Sequence, residues 1–508
     1  MTRIISLISG PLAAILIWNF ADLDPNNPLA TRMAGITIWV AIWWLTEVID
    51  LAVTSFLPLI LMPLMGISDA KETAAQYMDQ IIFLFIGGFI LSFALEKWEL
   101  HKRISLGILG AIGSSPSRIL MALMITAFFI SMWMSNTATV LMLYPAVLAT
   151  YFQIKEKTGT ENKGIATAML LGLAYSASIG GMATLVGTPT NMIFVSYFSQ
   201  HYPENHSLSF GSWFSLGFPI ALLLATGTFF ILKLFFIPKA VDISFDKSFF
   251  RKDFLALGKM NREQGLVLAL FVVTIVLWFT INDMDYGSFQ LKGWSNLFPQ
   301  PKWIKESTVA MGMAMLLFFI PARKSAPPCP PQTGGEVGAD ADFDEEHARK
   351  PDGNTSLLDW NDVQKLPFGI ILLFGAGFAL AMGIEKSHLS DWLATKLEIL
   401  SAGNPILIVM AICAIICLIS EFASNVSSIQ LALPILAVLS KTLHVEPLLL
   451  MIPATLSASL GFMLPVATAP NTIVFGSKLI PVRDMMRVGL LIDILGILLI
   501  PLISALMK

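Results

Sequence analysis

The chain has 508 residues, 55% hydrophobic and only 13% charged, with a mean hydropathy of +0.73. A soluble domain carries about 25% charged residues, so this composition excludes a soluble enzyme and implies a polytopic membrane protein with one integrated transmembrane domain. The net charge of −3 points to no nucleic-acid partner.

In chain order, the first apolar run, 4–20, follows Arg3. It reads as an uncleaved first helix, because no small-x-small cleavage site follows cleanly and further spans come after it. Further apolar spans are expected near 34–48, 52–66, 80–97, 213–237, 264–281, 304–321, 368–385 and 485–506. Residues 98–118 and 387–405 read as amphipathic helices on the membrane surface. Residues 119–150 and 406–440 are each long enough for two short helices, with Ser135-Asn136-Thr137 and Ser424-Asn425-Val426 near their middles. Residues 165–200 and 447–478 are long apolar helices, broken at Gly187-Thr188-Pro189-Thr190-Asn191 and Ala467-Thr468-Ala469-Pro470-Asn471. Residues 322–362 hold a proline cluster, a Gly-Gly pair and an acidic run, which predicts a disordered cytoplasmic linker.

The two halves repeat. At one constant offset, Phe85, Gly88, Phe89, Leu91, Glu96, Lys97, Ser135, Asn136 and Pro145 recur as Phe374, Gly377, Phe378, Leu380, Glu385, Lys386, Ser424, Asn425 and Pro434. Taking 119–150 and 406–440 as re-entrant hairpins gives eleven crossings, with a cytoplasmic N-terminus and an external C-terminus. Most of the 32 Lys and Arg residues then fall on the cytoplasmic side, as the positive-inside rule requires. An odd number of crossings separates the copies, so the first hairpin dips in from the cytoplasm and the second from outside. The expected fold is therefore an all-α inverted repeat.

Backbone groups released inside a bilayer must be satisfied, so breaks in matching places mark a cavity. Free helix N-termini offer N–H groups to an anion. Free carbonyls with Ser and Asn oxygens offer a cage for a hard cation such as sodium. Segments 119–150, 165–200, 406–440 and 447–477 contain no Lys, Arg or His. A divalent anion bound there needs bound cations to balance it, and this predicts cation-driven symport. Ser, Thr and Asn are also ordinary glue between membrane helices; their duplication in matching places argues for the site. Glu421, beside the second tip, is expected to be ion-paired at the mouth. Asp493 faces either the bundle interior or a cavity, and Glu47 and Asp50 read as interfacial. Cys413 and Cys417 share a helix face as apolar packing residues. The six histidines all fall outside the membrane core, and no metal site or nucleophile–base pair argues for an enzyme.

These residues carry a resemblance. Trp43-Trp44-Leu45-Thr46-Glu47, both tip phrases, Gly187-Thr188-Pro189 and the run from Phe462 to Gly476 make the chain similar to the divalent-anion/sodium symporter family of di- and tricarboxylate transporters. The resemblance implies eleven transmembrane helices plus two re-entrant hairpins, scaffold and transport domains, a homodimer in the plasma (inner) membrane, and elevator-like movement. Residues 1–118 would hold the first-half scaffold and surface helix, and 119–237 the first-half transport elements. Residues 238–405 would hold the second-half scaffold with its linker, and 406–508 the second-half transport elements. Carried over by motif, one sodium site would use Ser131, Ser135, Asn136 and Gly187, and the other Ser420, Ala423, Asn425 and Ala467. The dianion, a C4-dicarboxylate such as succinate or else citrate, would meet Asn136, Thr137, Thr188, Pro189, Asn425, Val426 and Thr468. Val426 replaces the threonine of a full second motif, and Thr190 replaces a second proline. Sodium-independent exchange, or sulfate transport on the same fold, is the alternative.

Overall fold

The computed structural model describes residues 2–112, 115–158, 162–202, 208–237, 254–285, 290–323, 356–364, 366–398 and 404–506. Nearly all secondary structure in them is helical. One two-residue antiparallel ladder pairs Met284–Asp285 with Gln290–Leu291. Among the described residues, 11 helices are long and apolar enough to cross a membrane. They are not the eleven expected crossings. Asn136–Glu156, Pro405–Phe422 and Asn425–Leu443, arms of the expected hairpins, qualify by length, whereas Glu306–Phe319 and Pro447–Ser457 are shorter apolar helices.

The chain forms two compact units, one of Met1–Phe85, Ala111–Lys247 and Pro367–Lys508, the other of Ile86–Gly110 and Ser248–Leu366. In the first, helices Pro28–Thr46, Leu57–Leu64 and Phe368–Lys386 share an apolar cluster that includes Met33, Trp44, Met62, Ala376 and Leu380. Such packing in lipid rests on van der Waals contact rather than on exclusion from water. Trp44 of the Trp43–Glu47 phrase is fully buried in this cluster, and Glu47 ends the helix in a left-handed turn. The expected span 52–66 is corrected to two pieces, Leu51–Thr54 and Leu57–Leu64. Asp50 caps the first through the Ala52 N–H (2.8 Å), and Pro58 sits in the first turn of the second, where its missing N–H costs nothing. Glu47 and Asp50 are exposed, as expected of interfacial acids.

In the second unit the amphipathic stretch forms helix Leu100–Ile112. Arg103 donates to the carbonyls of Gly258 and Leu257 at 2.9 and 3.1 Å. The end of the expected linker is also corrected. Its core, 324–355, lies outside the described residues, but from Ser356 the chain is ordered. Leu357 and Leu358 are fully buried, Asp359 and Asp362 form a capping box, and Lys97 pairs with Asp362 at 2.6 Å. The Trp98 indole N–H donates to the Leu357 carbonyl at 2.9 Å. Two buried leucines followed by a helix cap fix this stretch in place.

Candidate functional site

The site is built in the first unit, where apolar helices stop and restart. Helix Pro116–Ser131 is followed by Asn136–Thr158, and Pro405–Phe422 by Asn425–Leu443. Helix Lys163–Met182 is followed by Pro189–His201, and Pro447–Ser457 by Ala469–Phe475. The Pro/Asn clusters, expected to be the breaks, straddle the restarts: Gly187-Thr188 and Ala467-Thr468 end the unwound stretches, and Pro189 and Ala469 begin the next helices. A proline in the first turn is pre-organised for helix and loses no bond there, so the unwound residues lie before it, at 183–188 and 458–468.

Each break is clamped by its asparagine. The Asn191 amide donates to the carbonyls of Gly181 (3.1 Å), Met182 (3.4 Å) and Thr184 (2.7 Å). The Asn471 amide donates to Gly461 (2.8 Å) and Leu464 (3.1 Å). Both side chains are fully buried, so these bonds satisfy carbonyls that lipid cannot. Asn471→Leu, close in volume, should leave two buried carbonyls unpaired and cost about 2–4 kcal/mol. Thermal unfolding in detergent should show the lower midpoint.

The first tip and first break converge. The Ser131 hydroxyl donates to Asn136 Oδ1 at 2.6 Å. A Cβ on Gly181 would meet Asn136 Oδ1 at 2.6 Å and the Gly187 carbonyl at 3.0 Å. Ser131, Asn136 and Gly187 are therefore neighbours, with Gly181 as the bare wall between them. Thr184 ties the two segments, donating to the Met132 carbonyl (2.5 Å) while its oxygen accepts the Gly187 N–H (3.1 Å). Ser135 caps the second arm, accepting the Ala138 N–H at 3.1 Å. Thr137 is half-buried in that arm's first turn, and Thr188 and Pro189 begin the restart.

The second tip and second break converge by other contacts. Ser420 donates to the Ala458 carbonyl at 2.9 Å. A Cβ on Gly461 would touch Ala467 Cβ (3.3 Å), the Ser420 carbonyl (3.5 Å) and Thr468 (3.5 Å), which brings those three together. Asn425 Oδ1 is buried with no hydrogen-bond partner, an orphan that fits a cation ligand. Ala423 is buried and closes the first arm. Val426 packs against the apolar cluster of the first unit. Glu421 is corrected. It is 1% exposed and takes no ion pair among the described residues; its oxygens accept the N–H groups of Met463 (2.8 Å) and Leu464 (2.9 Å). The second break is longer than the first, and a carboxylate holds the amides that it releases. Asp493 turns inward and is buried.

The two breaks meet. The Tyr175 hydroxyl donates to the Phe462 carbonyl at 2.8 Å, and their rings lie 5.0 Å apart. The Thr190 and Ser459 hydroxyls are 3.2 Å apart. The packing is reciprocal: Pro189–His201 lies on Asn425–Leu443, and Ala469–Phe475 lies on Asn136–Thr158. Residues 5–507 match the family described as the sodium:sulfate symporter transmembrane region. The chain belongs to the sodium:sulfate symporter family. The resemblance seen in the sequence is thereby borne out over the whole length. Among similar proteins, the Sodium-dependent dicarboxylate transporter SdcS of Staphylococcus saprophyticus is 36% identical over 507 residues, covering 99% of this chain and 90% of the relative. A protein of the same name from Staphylococcus aureus is 35% identical over 509 residues, with the same coverage. A membrane transporter, rather than an enzyme, is what the family and these relatives are named for.

Sequence reasoning missed Gly181, Thr184 and Tyr175. The Gly180-Gly181 pair inside an apolar helix was a signal of close backbone approach. Nothing local marks the other two, because their partners are distant in the chain.

Proposed function

We propose that the protein is a sodium-coupled symporter of divalent organic anions, with C4-dicarboxylates such as succinate, or citrate, as substrates. The carrying observation is the meeting of two tips with two breaks in a core whose four segments hold no basic side chain. Oxygens of Ser131, Ser135, Asn136 and Gly187 would hold one sodium ion, and those of Ser420, Ala423, Asn425 and Ala467 another. Hydroxyl, amide and carbonyl oxygens are the donors that a hard cation takes. The dianion would sit between them, on Asn136, Thr137, Thr188, Pro189, Asn425 and Thr468, with Val426 at its edge. Helix N-termini at Asn136, Pro189 and Asn425 face negative charge favourably. Without the ions that charge is uncompensated in a low dielectric, so neither ligand should bind well alone.

The same reading includes an inverted repeat, supported by the contact of Phe85 with its counterpart Phe374 (ring centroids 5.3 Å apart). It also includes a homodimer, scaffold and transport parts bounded as the sequence suggests, an elevator stroke, and a cytoplasmic N-terminus. Uptake of labelled succinate, citrate and sulfate into proteoliposomes, with sodium or potassium outside, tests it. Succinate or citrate uptake should require sodium. Uptake indifferent to sodium would make the protein an exchanger, and sulfate as the sole substrate would overturn the carboxylate assignment.

A further inference from the structure

Thr190 is where the first half departs from the second. Pairing Thr188 with Thr468 and Asn191 with Asn471 sets Thr190 against Pro470, which has no hydroxyl. The two paired threonines have matching backbones, φ −146° and ψ 142° at Thr188, φ −141° and ψ 150° at Thr468. Their side chains nevertheless do different things. Thr468 Oγ1 accepts the Asn471 N–H at 3.3 Å, the usual cap of a helix start. Thr188 makes no such cap; its oxygen accepts the Thr190 hydroxyl at 3.3 Å. The Thr190 oxygen lies 3.2 Å from the hydroxyl of Ser459, on the second break. Thr190 is fully buried and Ser459 nearly so, which keeps water from competing for either. A hydroxyl carries one proton. Thr190 spends its own on Thr188, so Ser459 donates to Thr190. Thr188 is left with an unspent proton, which no group among the described residues accepts.

We propose that Thr190 is a positioning residue for the substrate, the middle of a relay that runs from Ser459 through Thr190 to Thr188 and ends on the dianion. The inference rests on the reading above, in which Thr188 meets the dianion, and it names what aims that hydroxyl. By donating to Thr188, Thr190 holds its oxygen away from the helix cap and leaves its proton for the ligand. A carboxylate only accepts hydrogen bonds, so a hydroxyl fixed as donor suits it. Bonds in series polarise one another, and this strengthens the last of them. The relay begins on the second break and ends on the first, so the donor is set only when both breaks are in place.

Succinate affinity of the full-length protein at saturating sodium tests this, read as the uptake KM in proteoliposomes and as the calorimetric Kd in detergent. Thr190→Val keeps the shape and removes the hydroxyl. Thr188 is then free to turn to its own Asn191 N–H, as Thr468 does with Asn471, and KM and Kd should rise about 10-fold with Vmax little changed. Thr190→Ser keeps the hydroxyl and should restore both. Ser459→Ala lets the Thr188–Thr190 bond reverse, and should raise KM by about 2–3-fold. In a Thr188→Val background, adding Thr190→Val should raise Kd no further, because the oxygen that Thr190 aims is gone. An unchanged KM in Thr190→Val overturns the relay. So does a fall in Vmax alone, which is what lost packing would give, or a full additional loss of affinity in the Thr188→Val background. If Thr190→Val does not fold, Ser459→Ala decides, and an unchanged KM there overturns the relay. Wild-type uptake indifferent to sodium is a separate result: it removes the symport reading, while the same KM comparison still decides the relay.

Discussion

Replacing Asn136 or Asn425 by alanine is expected to abolish sodium-driven uptake and leave the fold largely intact. Each asparagine opens the second arm of its hairpin; the Asn136 side-chain oxygen accepts the Ser131 hydroxyl, and the Asn425 oxygen is buried with no partner. In the proposed site each serves twice, giving an oxygen to a sodium ion and donors to the dianion. A lost bond to a charged partner costs about 1.5–3 kcal/mol. Two such losses in a coupled site amount to roughly 1,000-fold in transport. The stability cost is small and unequal. Asn136→Ala strands the Ser131 hydroxyl, for about 1–2 kcal/mol. Asn425 Oδ1 has no partner to strand, so Asn425→Ala should melt at or above the wild-type temperature. Uptake assays paired with thermal unfolding in detergent check both halves. Variants that keep normal sodium-dependent uptake would remove the tip assignment.

Gly187→Ala should abolish transport by a different route. An added Cβ would stand 2.5 Å from the Gly181 carbonyl oxygen and 2.9 Å from the Gly181 Cα, both backbone atoms that cannot swing aside. The break must open, carrying the Gly187 carbonyl away from Asn136 and breaking the Thr184 bridge. Overpacking of this kind costs about 1–3 kcal/mol, and a displacement near 1 Å ruins a site of fixed oxygens. Gly312→Ala is the matched control. Gly312 lies in helix Glu306–Phe319 with nothing within 4 Å of an added Cβ, so alanine there should stabilise by about 0.5–1 kcal/mol and spare uptake. Equal damage from both substitutions would show that the close approach at Gly187 carries no special weight.

Much of this was legible in the chain. A polar tripeptide in an apolar run is conspicuous because lipid offers its backbone no partner, and its repetition in the second half pairs the tips and the breaks. The Asn191 and Asn471 clamps confirm the pairing, since both amides reach carbonyls at matching positions of their own breaks. Where each break begins was not legible. Pro189 and Pro470 mark restarts, and the unwound stretch extends backward by a length that local sequence does not state. In the second half it runs back to Ala458, because Glu421, on another helix, accepts the amides it frees.

By itself the sequence determined the membrane setting, the family, the duplicated tips and the absence of basic side chains, since each is a property of composition or of short local runs. The tertiary structure decided which groups answer one another. Glu421 turned from an ion pair at the mouth into a buried anchor, Asp493 turned inward, and Tyr175 reached across to Phe462. The reason is physical: a polar group buried in a bilayer must find a partner, and only the packed helices determine which distant residue supplies it.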